Sequence, residues 1–232
     1  YIGNFIKSYP EYIFKSPLHE KSPLFFAVPM KNIERVYSPR EGLSELMSMP
    51  DKDLDEHLRT VVELISFLLK SSLKLKDFGI TYSTLMGHYA QNISDINIVV
   101  YGKKKFWKLM KFLEKNDHKD LRWKTYEEWE EFYKKRNRHV IHKKEIYIKN
   151  MYRKKSEGFF KKILFIIFAV ENEDESWFEW GQEKYKGVGL AKFEAIIKGN
   201  KNSVVRPGCY EISNSRFIYG DASCKNLTIS KV

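Results

Sequence analysis

Asp95 and Asn97 stand two residues apart at the head of an apolar run, inside the stretch ITYSTLMGHYAQNISDINIVVYG that runs from Ile80 to Gly102. Alternate residues of a strand face the same way, so acids at 95 and 97 would put two carboxylates on one side. Such a pair holds divalent metals about 3.5–4 Å apart, the arrangement used for two-metal phosphoryl transfer. The second position here is an amide. Asn97 offers a carbonyl oxygen but no charge to neutralise Mg²⁺, so Asp95 and Asn97 are weak metal candidates. Upstream, Tyr82 and Ser83 are the candidate nucleotide contacts, with Ser83 capping a helix whose first N–H groups would face a triphosphate. A blander assignment leaves Ser83 as a helix cap and Asp95 as a turn acceptor.

The elements that must hold these residues follow from apolar spacing. Leu54, Leu58, Val61, Leu64, Ile65, Leu68 and Leu69 recur at helical intervals, and Asp51, Asp53 and Asp55 sit where a helix dipole favours anions, predicting a helix over 51–70. "FGITY" and "INIVVY" read as strands on either side of a short helix reaching about Tyr89. "KKKFWKLMKFLEKN" and Glu127 to Lys135 read as helices, and "KKILFIIFAV" as a buried strand ending in the acidic turn "ENEDE". From about Tyr185 the segments "GVGLAKFEAIIKG", "SVVRPGCYEI" and "SRFIYG" predict short strands. "GVG" there is turn chemistry, since it lacks the glycine spacing and following helix of a phosphate loop.

The net charge of +11 is unevenly placed. Between Lys134 and Lys162 stand twelve Lys and Arg against Glu145 and Glu157, among them Lys134, Lys135, Arg136, Arg138, Lys143, Lys144, Arg153, Lys154 and Lys155. Tyr147, Tyr152, Phe159 and Phe160 are interleaved with them. Cations contact phosphates and rings stack on bases, so this stretch is the candidate nucleic-acid surface, against the plainer alternative of a solvated face. His139 and His142 in "HVIH" have a metal-compatible spacing with no third ligand in view.

The core is sized for one main domain and a small second one: 232 residues with 43% hydrophobic and 15% aromatic content exclude a disordered chain. The longest apolar run, Ile163 to Val170, is strand length, so no membrane span is expected. Cys209 and Cys224 lack the number and spacing of a disulfide framework or metal site and read as reduced thiols. The opening "YIGNFIKSYPEY" has neither Met nor a signal pattern and reads as part of a longer chain, with a cytoplasmic address expected.

Five stretches together, "YPEYIFKSPL", "IERVYSPREGL", "DFGITYSTLMGHY", "SDINIVVYG" and "GFFKKILFIIFAV", resemble an archaeal family of predicted nucleotidyltransferases in the polymerase beta superfamily, and the resemblance covers most of the chain. That family's Gly-Ser aligns with Tyr82-Ser83, its Asp-X-Asp with Asp95 and Asn97, and its third carboxylate with Ile166. Glu171, near the end of the same strand, is the nearest acid to that last position. What the resemblance implies is a nucleotidyltransferase-like fold, with three departures at three parts of one site.

The expected fold is therefore α+β: a mixed sheet holding strands near Gly79, Ile98 and Ile166 with flanking helices, plus a small C-terminal β module. Its expected divisions are a proline-rich arm over 1–50, holding six of the seven prolines, a core over 51–184 and the module over 185–232. The expected function is a catalytically degenerate protein of that fold that binds RNA or single-stranded DNA, or acts within a nucleoprotein assembly. No cofactor is expected in that case. One alternative is an active transferase using Mg²⁺, with Asp95 and Asn97 on the metal and Ser83 on the triphosphate. Another is a structural subunit that contacts other proteins.

Overall fold

Asp55 accepts a hydrogen bond from the Leu58 N–H (2.8 Å) and so begins α3, Glu56–Leu69. The acids before it stand in a separate 3-10 turn, Asp51–Asp53, so the helix starts five residues later than its charge pattern suggests. The computed structural model describes residues 2–20, 24–91, 93–136, 143–176, 179–206 and 208–225. The chain divides into two compact units, one of Tyr37–Asn172 with Val204–Arg206, the other of Tyr1–Val36, Glu173–Ser203 and Pro207–Val232. The proline-rich stretch is thus shared between them: α2, Pro39–Ser48, lies in the first unit.

The first unit is α+β. Five strands, β3 (Phe78–Ile80), β4 (Ile96–Tyr101), β5 (Leu121–Trp123), β6 (Glu157–Phe160) and β7 (Ile163–Val170), form a mixed sheet in the order β3-β4-β7-β6-β5. Only the β4–β7 pair is parallel. The antiparallel β6–β7 pair is joined by the two residues Lys161 and Lys162, whereas the parallel β4–β7 pair is joined by a long crossover, as parallel pairing requires. One face of the sheet carries Phe78, Ile98, Val100, Phe165 and Ile167, all buried in one cluster with Val61, Leu64, Ile65 and Leu68 of α3 and Phe106, Leu109 and Leu113 of α5, Lys103–Lys115. The predicted strands near Gly79, Ile98 and Ile166 do share this sheet. On the other face Gly79 meets α2 so closely that a Cβ there would lie 2.8 Å from Pro39 Cβ and 2.9 Å from Val99 Cγ2. A side chain at 79 would push α2 off the sheet.

Two further helices, α6 (Tyr126–Arg136) and α7 (Lys144–Lys154), form an antiparallel hairpin between β5 and β6. Tyr133 packs on Tyr147 (5.4 Å between ring centroids) and Tyr126 on Tyr152 (6.3 Å), with Trp129 and Ile148 buried between the helices and their surroundings.

In the second unit, α1 (Ile2–Ser8) precedes a small hairpin of β1 (Ile13–Lys15) and β2 (Leu24–Phe26). A long ribbon pairs β8 (Ala191–Asn202) with β9 (Cys209–Gly220). These two twelve-residue strands replace the several short ones read from the sequence. "SNS" continues β9 instead of breaking it, with Asn214 at φ +49° beside a register shift. Among the described residues no helix is long and apolar enough to cross a membrane.

Candidate functional site

Asn97 is the second residue of β4 and is 8% exposed; its in-register partner on parallel β7 is Ile166. In-register parallel residues point to the same face, so Asn97 and Ile166 sit side by side about 4.8 Å apart at the backbone. Ile166 also pairs with Glu157 of β6, so one row across three strands reads Asn97, Ile166, Glu157. Asp95 lies just before β4. The Thr81 N–H donates to the Asn97 carbonyl at 3.1 Å, tying the start of α4 (Tyr82–Met86) to the same end of the sheet.

The helix cap differs from the sequence reading. Thr81, not Ser83, is the N-cap residue of α4, and Ser83 lies in the first turn, where its carbonyl accepts from the His88 N–H at 2.9 Å. The Thr81 hydroxyl is buried without a protein partner. Tyr82 is 63% exposed and its backbone has φ +53°, the left-handed region that favours glycine. The backbone at Tyr82 thus has a glycine-type conformation although the residue carries a ring.

Glu171 does not join this site. It lies five residues beyond Ile166, roughly 16 Å along an extended strand, and forms an ion pair with the buried Lys103 at 2.6 Å. The carboxylate in the row with Asn97 is Glu157, and it is bound to the Lys124 ammonium. Lys124 is itself buried, with its ammonium 4.5 Å from the centroid of the Trp129 ring. A two-metal transfer site cradles Mg²⁺ between a pair of carboxylates, with waters and substrate phosphates completing the shell. Asp95 and Asn97 supply one charge and one neutral oxygen, Ile166 none, and Glu157 is held by a lysine. That donor set lacks the second carboxylate of such a cradle, and among the described residues no group of three His, Cys, Asp or Glu is placed to hold a metal.

A polar network beneath α4 escaped the sequence reading. His57 of α3 is 1% exposed; its Nε2 lies 3.0 Å from the Thr84 hydroxyl of α4, and its ring stacks on Tyr89 at 4.3 Å. The Tyr89 hydroxyl donates to Asp55 at 2.7 Å. Burial pushes the His57 pKa down, against the pull of Asp55 and Asp95, so the ring is held toward its neutral form. Burial and the bond to Asp55 push the Tyr89 pKa up to about 12. Burial opposes ionisation of Asp55, yet the Leu58 N–H and the Tyr89 hydroxyl outweigh it and lower its pKa. The signal was present: His57 falls four residues before Val61, on the apolar stripe of α3, where an unpaired polar group is costly.

The hairpin sorts the basic residues. Lys134, Lys135 and Arg136 end α6, and Lys143 and Lys144 begin α7, so these five gather at the turn end of the hairpin. Lys144 pairs with Glu130, and Lys134 lies 3.8 Å from the same carboxylate. Arg153, Lys154 and Lys155 lie at the other end of α7, about 15 Å away at helical rise, with Lys155 Nζ 5.6 Å from the Trp123 ring. Phe160 is fully buried and cannot stack on a base, and Phe159 lies under the Arg122 guanidinium at 4.3 Å. Tyr152 remains half exposed. Arg138, His139 and His142 lie outside the described residues.

An uncharacterized protein of Methanocaldococcus jannaschii, MJ1086, is 26% identical to this chain over 207 residues, which are 88% of this chain and 58% of that protein. The chain therefore spans less than two thirds of the length of the relative it matches. No protein-family model matches the chain, and no solved structure does.

Proposed function

We propose that the first unit is a nucleotidyltransferase-type domain whose metal site no longer supports catalysis, and that the protein binds RNA or single-stranded DNA through the α6–α7 hairpin. The observation that carries this reading is the register: Asn97 and Ile166 are immediate neighbours on one face of the sheet, at the two positions the sequence resemblance assigns to carboxylates. The left-handed backbone at Tyr82 supports it from a separate part of the same site. The five cations at the hairpin turn, with Tyr152 exposed further along α7, supply phosphate contacts and a ring for stacking.

The test is binding of a labelled single-stranded oligonucleotide across a salt series. The logarithm of affinity falls linearly with the logarithm of salt, at about 0.7 per phosphate contact. Lys135→Ala, Arg136→Ala and Lys143→Ala combined flatten that slope, whereas Ser83→Ala and Asp95→Ala leave it unchanged. A slope indifferent to the hairpin substitutions overturns the nucleic-acid assignment. Transfer from a labelled nucleoside triphosphate that vanishes in Asp95→Ala overturns the degenerate-site assignment.

A second reading, a structural subunit that contacts other proteins, rests on the β8–β9 ribbon, where Ile196, Ile197, Tyr210 and Tyr219 are exposed. Isolated two-stranded ribbons are marginally stable in water, so an apolar partner surface would stabilise this one.

A further inference from the structure

The second unit contains a pocket of about 270 Å³ that the proposed function does not use. Phe14, Phe25 and Phe26 of the β1–β2 hairpin form one side, and Trp180 and Tyr185 the other, with His19 between them. The two sides are pinned together by backbone pairing: the Tyr185 N–H donates to the Leu18 carbonyl at 2.6 Å, and the Glu20 N–H donates to the Tyr185 carbonyl at 3.0 Å. Ring packing fixes the side chains as well. His19 stacks on Tyr185 at 4.8 Å and tilts against Phe25 at 5.5 Å.

The lining is aromatic, yet it is not a sealed core. Trp180 is 71% exposed, and Phe14, Phe25, Phe26 and Tyr185 all remain open to solvent. Holding five rings around open space is unfavourable in water unless something occupies it. The charge at the mouth indicates what. Glu179 and Glu183 both line the pocket, in a chain whose net charge is +11. Glu183 accepts the Tyr185 hydroxyl at 3.2 Å, which orients that ring and keeps the carboxylate beside the pocket. Of the nearby cations, Lys186 is turned to Glu20 at 3.2 Å, while Lys184 follows Glu183 in sequence and is exposed. Ring faces carry negative potential, and two carboxylates add to it. An anion is repelled by this arrangement, and a neutral apolar ligand gains nothing from the acids.

We propose that this pocket is a binding site for a small organic cation of the quaternary ammonium class, held by Trp180 and Tyr185 through their ring faces and by Glu183 through its charge. The full chain is titrated with choline and, in parallel, with 3,3-dimethyl-1-butanol, which has the same shape without the charge. The readout is the indole N–H resonance of Trp180, assigned with Trp180→Phe. Choline shifts that resonance saturably, and the neutral isostere binds at least about fivefold more weakly. Measured by calorimetry, since the reporter indole is gone in the first variant, Trp180→Ala abolishes choline binding and Glu183→Gln weakens it about threefold; both residues are peripheral enough that the melting transition serves as the folding control. Equal binding of the isostere overturns the proposal, as does choline binding that survives both substitutions, or no saturable shift at tens of millimolar choline.

Discussion

At the start of the β4–β7 pair, Asn97 and Ile166 place an amide and a hydrocarbon side by side; just beyond its far end, Lys103 and Glu171 place a buried ammonium and a carboxylate 2.6 Å apart. The residues that follow these two strands therefore form a matched ion pair, whereas at the other end the in-register pair inside the strands is uncharged, with Asp95 just before β4. The difference teaches what the fold requires by itself. A buried charge needs a partner from the protein or a bound ion. Where the protein supplies the partner, as Lys103 does, the carboxylate is stable without a ligand. A carboxylate beside Asn97 would have no such partner, because Lys124 is already committed to Glu157.

The largest test of this contrast is at the paired end. Lys103→Met leaves the Glu171 carboxylate without its ammonium and lowers unfolding free energy by about 3 kcal/mol, measured by chemical denaturation. Asn97→Asp combined with Ile166→Asp adds carboxylates at the other end and costs about 2 kcal/mol without metal. Millimolar Mg²⁺ recovers part of that loss in the double variant and changes nothing in the original chain. A parallel response to Mg²⁺ in both would remove the distinction between the two ends. The smallest effect concerns the first residue of α4. Tyr82→Gly relieves a left-handed backbone and raises stability by up to about 1 kcal/mol, while Tyr82→Ala, which keeps a Cβ, gives no such gain.

The sheet was legible in the sequence to the extent that its strands carry long apolar runs. "INIVVY" and "ILFIIFAV" stand out from their surroundings, and the helical spacing from Leu54 to Leu69 identifies α3. By contrast β5 has three residues, Leu121, Arg122 and Trp123, and β6 lies inside the basic stretch that was read by charge alone. Neither has enough residues for a period to show. The helix α7 was hidden for the same reason, since its one fully buried residue is Ile148. At the site, residue types could be aligned but neighbours could not: that Ile166 lies beside Asn97, and that Glu157 completes the row, follows from strand register. Register depends on which segments pair across the whole chain. Lys124 carried no signal at all, because its partner is thirty-three residues away.

The α6–α7 hairpin has one more property. Among the described residues, Trp129 and Ile148 are buried but stand outside the hydrophobic cluster that joins α3, α5 and the sheet. The hairpin thus has a small apolar centre of its own, and elements secured by few buried contacts open at a lower free energy than the domain that carries them. The expected outcome of hydrogen exchange is that its amides exchange through local opening, while those of β4 and β7 wait for global unfolding. A polyanion bridging Lys135 and Lys143 would close that local opening and leave the melting of the sheet where it was, so protection from exchange and thermal stability would respond to the same ligand independently.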